Sequence, residues 1–502
     1  MSQPASKEVI ERLTKKLELT IPQVYSNLKL LIATREAVSA TGDELRSRLH
    51  SLMIVVDFIW LDVCVSCRAI FVTDDAYEKR FHFKNLLASI SEGYKTLFGF
   101  GKSQKKSVWT EAKNLFDQLG DADVSNTTSS ITEELKRFGK ENIDKKARDI
   151  AYHYNVDMME VYNKTVSLSD EEKVMNTVIR LLRILEEISS LYKCAYNIPR
   201  DTTADLNQYS ANSASITVGI DLQYKVLQDS LDKDGRFSSM IREHLPSASH
   251  GIDKIVSTIR QAEHVRASLT GKLKSERDIR GITHTINLGK TMMLLHYMIS
   301  DYGTIIDTYL HSTTVIECAM NMRRCVIIKT SVLEHLYGYT EDERARSMWT
   351  KISRCIPAEE TELSEIYDSV GTILKKMTDH STDNDLRALL VHPYDNSRQA
   401  ERVQATMLAI ECLLPFAQVR EFEVMEKIYH VCNQFINKLQ DVINRNISEE
   451  NQRQQQEMLD RIAQIEQMID NSNMTKEQKA ESMESSRKLR ELLETLNSLE
   501  AN

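Results

Sequence analysis

The sequence predicts an all-α protein, and three observations predict it. Glycine and proline number only 15 and 7 in 502 residues, well under the roughly 7% and 5% of average usage, so tight turns are few. Charged residues reach 27% and hydrophobic residues 41%, a balance that suits long amphipathic helices around sizeable cores. Apolar positions recur at helical spacing between recognisable caps. The formal charge of −9 argues against a protein whose main task is coating nucleic acid, although local basic clusters can still guide a strand.

Taken in order, residues 1–42 read as N-terminal amphipathic helices broken near Pro22, and Ser39–Leu45 offers a stop and a new cap. A long apolar helix over about 43–72 follows, then a turn at Thr73–Asp75 and a helix to Phe98. Gly99 and Gly101 break the pattern ahead of a helix carrying Trp109, and Asn126–Ser130 is a polar interruption. A helix over about 169–197 completes a first helical domain, 43–197. Pro199–Ala214 reads as a linker, and 198–281 as linker plus helical spacer interrupted around Leu245–Gly251. A second helical domain spans 282–446. The polar tail 447–502 spaces Met458, Ile462, Ile465 and Ile469 by alternating four and three, turns at Asn471–Asn473, and resumes with Leu489, Leu492, Leu496 and Leu499. That pattern is a helical hairpin or coiled coil.

Other chemistries find little footing. Eight cysteines are scattered through apolar contexts without a secretory signal, which implies reduced thiols and a cytoplasmic location. Cys64 and Cys67 form one CxxC, but no second pair or H-E-x-x-H accompanies it, so neither a metal nor a cofactor is expected. The apolar run Leu52–Val72 is interrupted by Asp57, Asp62 and Arg68, each costly in hydrocarbon, so it reads as a core helix and not a membrane span.

The two domains repeat one order of events. Leu97–Thr110 (LFGFGKSQKKSVWT) answers to Leu336–Thr350 (LYGYTEDERARSMWT); Gly99 and Gly338 lie 239 residues apart, as do Asp62 and Asp301, while Trp109 and Trp349 lie 240 apart. At 239 as well, Arg148 and His153 in RDIAYHYN match Arg387 and His392 in RALLVHPYDN. With 31 arginines and 13 histidines, about 0.8 R-x4-H pairs are expected by chance. The chain has two, and they fall on the repeat offset.

Arginine offers a fixed fork of donors to phosphate, and histidine exchanges protons near neutral pH. Together they suit metal-free cleavage of RNA. Histidine would deprotonate the 2′-hydroxyl or protonate the leaving oxygen, while arginine steadies the phosphate. Five residues of ideal helix rotate about 140°, so the two side chains share a pocket only at a helix end, which Asn155 and Pro393 both signal.

The R-x4-H, with polar Asp149 behind Arg148 in an all-α setting, resembles the signature of HEPN domains, many of which are metal-independent endoribonucleases. The resemblance implies two related helical bundles whose motifs meet in one composite catalytic site of Arg148, His153, Arg387 and His392. It further implies an effector of the stress or antiviral type. Ala388 departs from the family's polar residue after the arginine. His392-Pro393-Tyr394 is similar to the motif of HEPN toxins in which the tyrosine is modified, although packing at a helix end is the commoner role for such a tyrosine.

Asp62 and Asp301, buried in apolar helices, need partners, and the arginine of each motif is one candidate. Lys145 and Lys146, with Lys102, Lys105 and Lys106 in the Gly99 loop, could steer RNA. The expected partners are RNA, a protein activator or inhibitor, and a second copy through the C-terminal helices. The rival reading is a non-catalytic helical scaffold.

Overall fold

The computed structural model describes residues 7–100, 107–143, 157–167, 171–197, 235–269, 276–379, 386, 388–390, 399–412 and 415–500. Every regular element among them is a helix, as the composition predicts. The first half holds α1 (Lys7–Ala40), α2 (Glu44–Ala69), α3 (Ala76–Leu97), α4 (Val108–Asp117), α5 (Ala122–Asn142), α6 (Met158–Ser167) and α7 (Glu171–Asn197). The second holds α8 (Arg236–Leu269), α9 (Glu276–Leu310), α10 (Val315–Leu336), α11 (Glu341–Arg346), α12 (Met348–Ser353), α13 (Thr361–Thr378) and α14 (Gln399–Cys412). Two long helices, α15 (Pro415–Asp470) and α16 (Lys476–Glu500), close the chain.

Local sequence accounts for the starts. Asp43, Asp75, Ser107 and Asp121 each accept from the first-turn amides of the helix that follows. Thr314 with Glu317 and Thr340 with Glu343 form reciprocal capping boxes.

Three expected interruptions are absent. Helix α1 runs unbroken through Pro22 and α8 through Pro246, because both prolines lie on exposed faces where water can take the carbonyl that the missing N–H leaves free. The Asn126–Ser130 stretch lies inside α5; Thr128 and Ser129 hydroxyls donate to the carbonyls of Val124 and Ser125, which silences their competition with the backbone.

Helix α1 packs along α2 and α8 along α9, while α3 and α10 fill the centre. One continuous cluster of buried side chains runs from Leu13 to Ile443, so the two halves share a single core. Helix α2 is apolar and long enough to span a membrane by composition, yet 83% of that window is buried inside the protein. The linker Pro199–Ala214 lies outside the described residues.

The tail is a hairpin: α16 folds back on α15 with Arg490 paired to Glu466 at 2.6 Å. Its seam differs from the expected one. Ile462 is buried, but Met458, Ile465 and Leu489 point to solvent, since the inner face is completed by mixed polar positions such as Glu466 and Arg490. The side chains from Leu492 onward lie outside the described residues.

Gly99 and Gly338 end α3 and α10 with φ of 80° and 87°, a conformation that side chains resist. A Cβ on Gly338 would also lie 2.5 Å from the Arg344 backbone nitrogen, whereas one on Gly42 (φ 74°) meets nothing. Gly338→Ala should therefore lower stability by about 2–3 kcal/mol and Gly42→Ala by about 1. Denaturant melts of the two variants check the order; equal losses would refute the steric part.

Candidate functional site

Asp62 and Asp301 sit in the middle of α2 and α9, where apolar neighbours shut out water. A carboxylate in that setting needs a cation. Asp62 accepts from Arg323 of α10 at 2.7 Å, and Asp301 accepts from Lys84 of α3 at 2.9 Å and from the Tyr77 hydroxyl at 2.5 Å. All five side chains are buried. Each aspartate thus takes its cation from the opposite half of the chain.

The exchange is reciprocal in number as well as in space. Lys84 and Arg323 are 239 residues apart, like Asp62 and Asp301; so are buried Glu78 and Glu317 and the helix caps Asp75 and Thr314. Helices α3 and α10 have the same length, 22 residues. Ser107 and Ser347 both cap by accepting from the amide three residues on, directly before buried Trp109 and Trp349.

A second tier surrounds the two pairs. Glu317 meets Arg68 at 3.1 Å, and the Arg324 guanidinium donates to Ser66 and Asn321. Burial pushes the Glu78 carboxyl up to about 7, against the hydrogen bond from Thr73. The His82 imidazole meets the Thr308 hydroxyl at 2.9 Å, and burial holds it well below its usual value. These groups are closed to solvent, and the ion pairs among them tie the halves together.

Arg148, Asp149, His153, Asn155, Lys145, Lys146, Lys102, Lys105, Lys106, Arg387, His392 and Tyr394 lie outside the described residues. The helices on their C-terminal sides lie within them. Helix α6, after the first motif, leans on the second half: Asp157 pairs with Lys290 of α9 at 2.7 Å, and Tyr162 donates to Asp253 of α8 at 2.8 Å. Helix α14, after the second motif, leans on the first half: Glu401 pairs with Arg35 of α1 at 2.7 Å and Glu411 with Lys29 at 2.8 Å. Before it, Ala388 and Leu389 present their carbonyls to Arg402 and Thr406 of α14. The helix that follows each motif therefore packs on the opposite half.

No family model, no curated protein and no solved structure matches this chain.

Sequence reasoning singled out the two aspartates and missed their cations. The signal was present: Lys84 and Arg323 are both basic, and Glu78 and Glu317 both acidic, at the same spacing of 239 as the aspartates. Among the described residues no group of three or more His, Cys, Asp or Glu could hold a metal ion. Cys64 and Cys67 are buried inside α2, where burial pushes the Cys67 thiol up to about 12.

Asp301→Asn, which leaves the Lys84 ammonium buried without its counter-charge, should cost about 3–5 kcal/mol, while Lys84→Met with Asp301→Leu should recover most of it. A double-mutant cycle by chemical denaturation reads both. Burial also lowers His335 to about 4, aided by Lys351 and opposed by Asp157. Its folded value lies below the unfolded one, so its contribution is complete above about pH 6.5 and is lost as pH falls through about 4. His335→Gln should flatten the acid limb of stability over that window, and an unchanged limb would refute the assignment.

Proposed function

We propose that the chain is a metal-independent endoribonuclease made of two HEPN-like halves related by an approximate two-fold axis, with Arg148, His153, Arg387 and His392 forming one composite site. The carrying observation is the exchange of buried ion pairs, Asp62 with Arg323 and Lys84 with Asp301, at the same offset as the two motifs. A site assembled from two motifs requires the halves to be held in fixed relation. Exchanged ion pairs inside a shared core supply that relation without a second chain.

In this reading one histidine takes the proton of the 2′-hydroxyl and the other returns one to the 5′-oxygen, while the arginines bind the scissile phosphate and the charge that grows on it. The product is a 2′,3′-cyclic phosphate, and DNA is inert. Lys145, Lys146 and the lysines of the Gly99 loop steer the strand. Ala388 makes the second half the weaker contributor. Activity of this kind in the cytoplasm suits a stress or antiviral-defence effector held in check by a protein partner.

A scaffold is the second reading, and the hairpin favours it. Met458, Ile465, Met468 and Leu489 are exposed along α15 and α16, an apolar face of the kind that recruits other helices.

Purified protein should cleave single-stranded RNA in EDTA, with loss of about 10²–10⁴ in rate for His153→Ala and for His392→Ala. Gel assays with end-group analysis check this. Undiminished cleavage in both variants overturns the composite site, and no cleavage by the wild-type chain leaves the scaffold reading standing.

A further inference from the structure

A cavity of about 220 Å³ opens between α1, α2 and α7, lined by Leu30, Leu31, Met53 and Tyr192 with Asp57 and His50. Its walls are mainly apolar, but among them stands a buried carboxyl with no hydrogen bond or ion pair among the described residues. Asp57 is 3% exposed and has no ion pair or hydrogen bond among the described residues; the Tyr192 hydroxyl, on a side chain 2% exposed, is buried without a partner. His50 differs, since its Nε2 meets the Leu31 carbonyl at 2.7 Å with the Thr34 hydroxyl beside it. Exposed Lys193 and Asn27 stand at the rim. Buried polar groups are nearly always paired, and an unpaired buried carboxyl lining a cavity marks a place where a partner is missing.

The second half shows what the same place looks like when it is closed. The positions 239 residues beyond His50 and Asp57 are Gly289 and His296. Gly289 admits Ile259 of α8 so closely that a Cβ would lie 2.8 Å from it, and Gly251 of α8 admits the His296 ring, 2.7 Å from where its Cβ would stand. His296 has both ring nitrogens occupied, by the Met292 carbonyl at 2.9 Å and the Tyr429 hydroxyl at 3.1 Å. There the helices are zipped and the polar group is satisfied. In the first half His50 occupies the position of the glycine, and the carboxyl is left facing a space.

We propose that this cavity binds a small, largely apolar molecule bearing a cationic amine or amidine head, with Asp57 as the counter-charge and Tyr192 as an aromatic wall. The head group's N–H donors would give the buried carboxylate the ion pair it lacks, and the apolar body would fill the gap between Leu30, Leu31 and Met53. Lys193 at the rim disfavours a second positive charge on the outer end. Burial raises Asp57 to about 7, with Lys193 opposing the rise, so a bound cation would draw the carboxyl into its ionised form and release a proton. Occupancy of the cavity does not depend on RNA cleavage elsewhere in the chain.

Benzamidine at millimolar concentration serves as the probe, with uncharged benzamide and anionic benzoate as comparisons, on the full chain. Benzamidine should bind by calorimetry and raise the melting temperature, more tightly at about pH 8 than at about pH 6, whereas the other two should bind at least about tenfold more weakly. Asp57→Asn, close in shape, should remove both the binding and its pH dependence. Ser189→Leu, which fills the cavity from the α7 side, should block the probe while leaving Asp57 in place. No benzamidine binding, or equal binding to wild type and both variants, overturns the proposal; so does preference for benzamide, which would mean a neutral pocket.

Discussion

The architecture depends on a buried exchange of charge. An ionised carboxylate in the middle of an apolar helix is costly without a cation, and Asp62 of α2 and Asp301 of α9 each draw theirs from the other half. Asp62 needs α10 and Asp301 needs α3. The continuous apolar core supplies most of the driving force for burial, but apolar packing is permissive about register. Two specific pairs of opposite polarity, each correct only when the other is, fix how the halves meet. Either half alone would expose a buried-type carboxylate on one helix and a buried-type cation on the next, an arrangement that favours association over independence.

Much of this organisation was legible in the sequence because it is written in local rules. Scarce glycine and proline, cap residues such as Asp43, Asp75 and Thr314, and the positive-φ glycines at 99 and 338 mark the helical class and several boundaries. The spacing of 239 is enough by itself to link Asp62 to Asp301. The failures came where tertiary context outweighs local signals. Pro22 and Pro246 should break helices, yet an exposed outer face makes a missing N–H inexpensive; Asn126–Ser130 should interrupt one, yet hydroxyls bonded back to carbonyls let α5 continue. Lys84 and Arg323 were unreadable as partners of the aspartates because no sequence rule says which of many basic residues a fold will bury.

The amine pocket depends on a difference between positions 239 residues apart in the two halves. The pocket arises where the halves differ: a glycine and a satisfied histidine close the space in one, a histidine and an orphan aspartate hold it open in the other.

Helix α15 has a mechanical consequence. Its first turns pack on α9, α10 and α13, and its last turns form one arm of the projecting hairpin, with no break across 56 residues. At 1.5 Å per residue it is a rod about 84 Å long. A helix that long resists bending far better than a jointed linker, so it couples the two ends like a lever on a fixed fulcrum. Anything that grips or displaces the hairpin near Asn471 exerts a torque on the helices that carry Asp301 and Arg323.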